Sequence, residues 1–243
     1  VTVNVLRHYL AALGFLTRLG PAAADPDMAA SVPFFSAVGA TLGLVLTVPL
    51  ALGLFAGHPL AGAWFFAVAN LALTRGLHLD GFADVADAWG SLACGERFFA
   101  IMKDSRVGAF GGMALVVAVT GQICLGASLF ADGRIWLLAV SPAMGRAGAV
   151  VLMRVCRDLA RPGLGALCLP GATARNTAIA VAVALAMGIA LAGPAATAWA
   201  CILCGATLVP LIRLARKNGG VNGDFIGAAI VGCELATLAG GLL

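Results

Sequence analysis

The chain has 243 residues, 61% of them hydrophobic and 11% charged, with a formal net charge of +4 and a mean hydropathy of +1.01. Soluble domains carry about 25% charged residues, so this composition excludes a soluble globular fold. It gives no sign of a nucleic-acid partner.

The first twenty residues, VTVNVLRHYLAALGFLTRLG, place Leu6, Tyr9, Leu10, Leu13 and Leu16 at helical spacing but are broken by Arg7, His8 and Arg18. That pattern predicts an amphipathic helix lying in the membrane interface. A cleaved signal peptide would show an unbroken apolar stretch and a small-residue cleavage site, and neither is present. Seven long apolar runs come next, at about 32–56, 60–76, 108–130, 134–156, 176–193, 195–214 and 224–243. Each is near the length that crosses a bilayer as a helix, with the second and fifth near the short limit. The expected fold is all-α: one polytopic membrane bundle over residues 1–243, with about seven transmembrane helices plus the amino-terminal interfacial helix.

Lys and Arg orient the bundle. With a cytoplasmic amino terminus, Arg7, Arg18, Arg75, Arg97, Lys103, Arg106, Arg154, Arg157, Arg161, Arg175, Arg213, Arg216 and Lys217 all face the cytoplasm, 13 of the 15 basic residues. The exceptions are Arg134, in a short outer loop, and Arg146, inside the fourth span. The lipid bilayer is the expected partner, and self-association into a homo-oligomer is compatible with the chain. The seven cysteines lie mostly inside spans. Even the C-x-x-C pair Cys201 and Cys204 reads as soft packing, since no second Cys/His pair accompanies it.

Between the second and third runs the composition shifts. Residues 75–112, RGLHLDGFADVADAWGSLACGERFFAIMKDSRVGAFGG, hold five of the eleven acidic residues. If 79–89 is helical, spacings of four and three put Asp80, Asp84 and Asp87 on one face. Three adjacent carboxylates repel unless a cation binds them, and a hard ion such as Mg²⁺ suits an all-oxygen set shared with substrate phosphates. The alternative is a solvated acidic face paired with nearby basic residues. The position of Asp80 directly after a span favours function. Further along, Lys103-Asp104-Ser105-Arg106 and the glycines after it supply cations suited to phosphate. Anchoring of a helix end accounts for Lys103 and Arg106 equally well, but not for Asp104 and Ser105.

A third polar island precedes the last run: Arg213, Arg216, Lys217 and Asn218, then Gly219-Gly220-Val221-Asn222-Gly223-Asp224. Asp224 is both a candidate helix cap and a candidate ligand. Glu234, well inside the last run, needs a proton or a partner.

Together these segments resemble the cobalamin (5′-phosphate) synthases, or adenosylcobinamide-GDP ribazoletransferases. The resemblance is carried by LHLDGFADVADAWG, ERFFAIMKDSRVGAFGG and GGVNGDFIGA, with ALGFLTRLG, VPFFSAVGATLG and SPAMGR in the same order, and so spans the chain. It implies a membrane enzyme that joins adenosylcobinamide-GDP to α-ribazole or its 5′-phosphate and releases GMP, with Mg²⁺ as cofactor. Carried onto this sequence, it implies Asp80, Asp84 and Asp87 as metal ligands. The expected catalytic residues are Asp84, Asp87, Lys103, Asp104 and Arg106, with Asp87 the favoured proton acceptor. Arg75, His78, Ser105, Asn222 and Asp224 are expected to bind substrate. The family more often carries Thr where this chain has Asn222. Two rivals are weighed. A CDP-alcohol phosphotransferase would show D-G-x-x-A-R, which Asp80-Gly81-Phe82-Ala83-Asp84-Val85 does not. A secondary transporter would place its ionisable groups near the midplane, in repeated halves.

Overall fold

The computed structural model describes residues 2–21 and 27–243. Among the described residues the regular structure is helical: α1 Thr2–Leu16, α2 Met28–Ser31, α3 Phe35–Ala51, α4 Pro59–Thr74, α5 Leu77–Gly90, α6 Glu96–Met102, α7 Ala109–Ala131, α8 Trp136–Val155, α9 Ala174–Ala192, α10 Pro194–Asn218 and α11 Gly223–Gly240. Six stretches are long and apolar enough to cross a bilayer: Met28–Ala51, which joins α2 and α3, and then α7, α8, α9, α10 and α11. They coincide with six of the seven apolar runs to within a few residues. The expected short span over 60–76 is α4, of 16 residues, about 24 Å long at 1.5 Å per residue.

The connection after α4 is a sharp corner instead of a simple loop. Arg75 and Gly76 both take left-handed backbone conformations, with φ of 60° and 69°, which ends the helix as such residues do. The chain leaves at 90° to α4. The two helices therefore form a broken span or a re-entrant pair, and α5 carries the chain to the polar end of the bundle. There it packs against α11 and α7.

The middle of the bundle is α8 packed on α3 and α11, with α10 against α11 and α9 against α8. Small residues allow these close approaches. A β-carbon on Gly145 would stand 2.8 Å from Glu234 Cγ and 2.9 Å from the Ile230 carbonyl oxygen. At this contact Arg146 and Glu234, both fully enclosed, form an ion pair. The other Glu234 oxygen accepts from Asn70 Nδ2 and Gln122 Nε2, each at 3.3 Å. The partner that Glu234 requires is therefore Arg146, with α4 and α7 supplying two further donors.

The amino-terminal helix is bound more closely than an interfacial helix needs to be. Ala12, Leu13 and Leu16 are buried, Phe15 stacks on Phe35, and Tyr9 and Thr41 share a 2.7 Å hydroxyl hydrogen bond. One end of the bundle, the polar face, gathers the carboxyl end of α1, the helices α5 and α6, the starts of α7, α9 and α11, and the ends of α8 and α10. There the segment after α8 pairs with the loop before α11: Val221 N donates to Leu159 O at 2.7 Å, and Arg161 N donates to Val221 O at 2.9 Å.

Candidate active site on the polar face

The predicted helix over 79–89 is realised as α5, so Asp80, Asp84 and Asp87 do share one face. What brings them to the late motif is Gly81. A β-carbon there would stand 2.7 Å from Asp224 Cα and 2.9 Å from its carbonyl oxygen, so α5 and the start of α11 meet backbone to backbone. Gly227 makes a second close approach, where a β-carbon would lie 3.0 Å from His78 O. Asp224 thus joins Asp80 and Asp84 from the far end of the sequence. Burial, followed by the charges of Asp224, Asp80 and Asp87, pushes the Asp84 carboxyl up to about 7. Asn222 sets the start of α11: its Oδ1 accepts from Phe225 N at 3.3 Å, and its Nδ2 donates to Asp224 Oδ2 at 2.6 Å.

Asp87 has a separate duty. Its Oδ2 accepts from Gly108 N at 2.8 Å and its Oδ1 from Gly111 N at 2.7 Å. The start of α7 has no side-chain cap from its own cap residue, and Asp87 supplies one from α5. This carboxylate answers the positive end of the α7 dipole. It also ties the preceding Lys103–Arg106 segment to α5. Only glycine suits positions 108 and 111, because a β-carbon at either would overlap the Asp87 carboxylate.

Lys103, Asp104, Ser105 and Arg106 are all exposed. Asp104 accepts from Arg106 Nε at 3.0 Å and from Arg106 Nη2 at 2.7 Å. The Arg106 hydrogen bonds hold the Asp104 carboxyl well below the usual range, at about 2. Two expected substrate residues stand elsewhere. Arg75 Nη2 donates to Phe15 O at 2.8 Å and Gly14 O at 3.3 Å, capping the end of α1. His78 is buried with Asn70, Thr74, Gln122 and Glu234 around it.

Sequence reasoning singled out neither Gly81 nor Arg161. Arg161 bonds both Glu96 oxygens, at 2.8 and 2.6 Å, and lies 4.0 Å over the Phe99 ring. It packs on Gly220 and so braces α6 against the late loop. Arg161 sits in a segment without periodicity, and only its membership of the basic set marked it.

Among the described residues no three Asp, Glu, His or Cys side chains converge closely enough to hold a metal together. The donors still fit a hard cation shared with substrate. They are carboxylates only, and one of them is so poorly compensated that it holds a proton near neutrality. Mg²⁺ also commonly takes only one or two carboxylates, completing its shell with water and phosphate. A cavity of about 860 Å³ lies away from these carboxylates. It lies against Phe82, Val85, Ala86 and Trp89, the opposite face of α5.

Comparison with known proteins bears on this arrangement. A family model described as cobalamin-5-phosphate synthase matches residues 8–242. An adenosylcobinamide-GDP ribazoletransferase of Nitratidesulfovibrio vulgaris (strain DP4) is 47% identical over 235 residues, 96% of both chains. Proteins of the same name from Klebsiella pneumoniae (strain 342) and Geotalea daltonii are each 36% identical. The first covers 96% of this chain and 98% of its own, and the second 92% of each. No solved structure matches the chain.

Proposed function

Because the chain belongs to the cobalamin-5-phosphate synthase family, we propose that its polar face joins adenosylcobinamide-GDP to α-ribazole or α-ribazole 5′-phosphate. The products are adenosylcobalamin or its 5′-phosphate, and GMP. Family membership decides against the CDP-alcohol phosphotransferase and the transporter. The observation that carries the site assignment is the contact at Gly81, which sets the two acidic motifs side by side.

In this reading a ribazole hydroxyl oxygen attacks the phosphorus borne by the cobinamide. The bond from that phosphorus to the GMP oxygen breaks, and the hydroxyl proton passes to a carboxylate of the α5 face. One or two of Asp80, Asp84 and Asp224 would hold Mg²⁺, which when bound would neutralise charge on the pyrophosphate. We assign Asp87 chiefly to fixing the start of α7, where each of its oxygens accepts one backbone donor. Lys103 and Arg106, on the segment that Asp87 anchors, grip phosphate oxygens as charge-assisted donors. Asp104 keeps the Arg106 guanidinium in place, and Ser105 and Asn222 border the same opening. Arg75 caps the end of α1 and His78 packs against α11, so both support this face.

The bias of Lys and Arg toward this end supports a reading in which the polar face and the amino terminus lie on the cytoplasmic side of the cell inner membrane, where nucleotide substrates are available. The test is turnover of adenosylcobinamide-GDP plus α-ribazole 5′-phosphate by purified protein, with and without Mg²⁺, beside Asp84→Ala. Product and GMP formed only with Mg²⁺ and intact Asp84 support the reading. No product from folded protein would overturn it.

A further inference from the structure

The cavity of about 860 Å³ has apolar walls from five helices, α5, α6, α7, α10 and α11, with Trp89, Phe98, Met113 and Leu214 among them. It is large enough for a sizeable ligand. It opens sideways: α7 packs on α4 and α5, α10 packs on α11 and α9, and α7 and α10 do not form a packed pair with each other. Between two spans that do not meet, such an opening faces lipid. At its mouth stand Arg213 and Lys217, one turn apart on α10. Both are exposed, and among the described residues neither has an ion-pair partner.

No Asp or Glu lines the cavity, because the α5 carboxylates point the other way. Two uncompensated cations over a deep apolar chamber, at membrane depth near a helix end, complement a molecule with a negative head and an apolar tail. Anchoring of α10 by positive charge would account for the cations but not for the chamber beneath them. The polar nucleotide substrates suit the opposite face of α5, not this one.

We propose that this cavity binds an anionic phospholipid of the surrounding bilayer, with an acyl chain under α5 and the headgroup phosphate on Arg213 and Lys217. The bound lipid fills the space on which the apolar face of α5 rests, and so supports the helix that carries Asp80 and Asp84 on its other side. This proposal does not depend on the identity of the substrates.

Trp89 reports directly on occupancy. A variant keeping only this tryptophan, with Trp64, Trp136 and Trp199 replaced by Phe, is placed in phosphatidylcholine vesicles. The vesicles carry a small equal fraction of either brominated-chain phosphatidylglycerol or brominated-chain phosphatidylcholine. The expected result is several-fold stronger quenching by the anionic lipid, abolished by Arg213→Gln with Lys217→Gln and unaffected by inorganic phosphate. A variant keeping only Trp64, at the far end of α4, should show no headgroup preference.

Native mass spectrometry of the unsubstituted protein should find phosphatidylglycerol retained over phosphatidylcholine, which checks the result without mutation. Equal quenching by the two lipids would overturn the proposal, as would the same preference at Trp64. Displacement of the quencher by α-ribazole or adenosylcobinamide-GDP would also overturn it, giving the cavity to a substrate. Displacement by phosphate alone would reduce the mouth to a simple anion site and would equally refute the lipid.

Discussion

Asp87→Asn separates anchoring from metal binding. The native carboxylate accepts from Gly108 N at 2.8 Å and Gly111 N at 2.7 Å. A hydrogen bond to a charged group contributes about 1.5–3 kcal/mol. Asparagine keeps one acceptor, turns an NH₂ toward the other amide, and removes a negative charge from the start of α7, itself worth about 0.3–1 kcal/mol. Discounted for partial exposure, the loss is about 2 kcal/mol, so the population with the 103–108 segment released should rise about 30-fold.

Trypsin reads that opening at Lys103 and Arg106, provided cleavage is slow relative to reclosing. Cleavage of the detergent-solubilised variant should therefore accelerate about 30-fold, while calorimetric Mg²⁺ affinity stays near that of the unsubstituted protein. Asp84→Asn should behave in the opposite way, losing Mg²⁺ binding with unchanged proteolysis. If Asp87→Asn abolished Mg²⁺ binding and left the cleavage rate alone, the anchoring role would be refuted and Asp87 returned to the metal set.

The geometry dictates three other outcomes. Gly81→Ala forces a β-carbon to within 2.7 Å of Asp224 Cα. It should cost about 1–3 kcal/mol by overpacking, and turnover should fall about 100-fold as the two acidic motifs move apart by up to about 1 Å. Thermal unfolding and turnover check the two halves separately. Glu234→Ala strands the enclosed Arg146 and should destabilise by about 3–5 kcal/mol, whereas replacing both partners by Met should recover most of that loss. Unfolding in detergent tests it, and equal damage from the single and double variants would contradict the pairing. Finally, the Asp84 carboxyl, at about 7, must lose its proton before it can bind a metal. Mg²⁺ affinity should thus fall as pH drops below about 7 and level off above it, with a proton released on binding. In the metal-free protein the raised value means the folded state holds more protons than the unfolded chain, so stability falls as pH rises from about 4 to about 7. Asp84→Asn should flatten both profiles in pH-dependent calorimetry and unfolding.

Much of this was legible because a bilayer leaves the backbone few options. The apolar runs marked the helices to within a few residues, and three acidic positions at spacings of four and three marked the α5 face. What the sequence could not carry were contacts through absent side chains. Gly81 and Gly227 bring α5 onto α11 because nothing projects from them, and no periodicity signals which backbone a glycine will meet. Asp87 looked equivalent to Asp80 and Asp84, since its partners are the N–H groups of residues 108 and 111, which every non-proline residue has. The turn at Arg75 and Gly76 was hidden for a related reason: a left-handed conformation at a non-glycine position is held by context, here the Arg75 bonds to the end of α1. Arg146 and Glu234 each stood out as costly within a span, yet only packing shows that α8 and α11 place them together.

The two faces of α5 tie the chemistry to the membrane. α5 sets an apolar lower face beside the cavity and a polar upper face away from it. The upper face here is three carboxylates, whose mutual repulsion works against ordering the helix until a cation binds. Its lower face, from Phe82 to Trp89, borders a cavity instead of a packed core over much of its length. Its other flank is packed: Ala83, Val85 and Ala88 are buried, Gly81 and His78 meet α11, and Asp87 holds the start of α7. A helix packed along one flank and open to a cavity on another responds to what fills that space and to the charge bound above. Occupancy on the two faces should consequently be coupled, because each helps to order the same 14 residues.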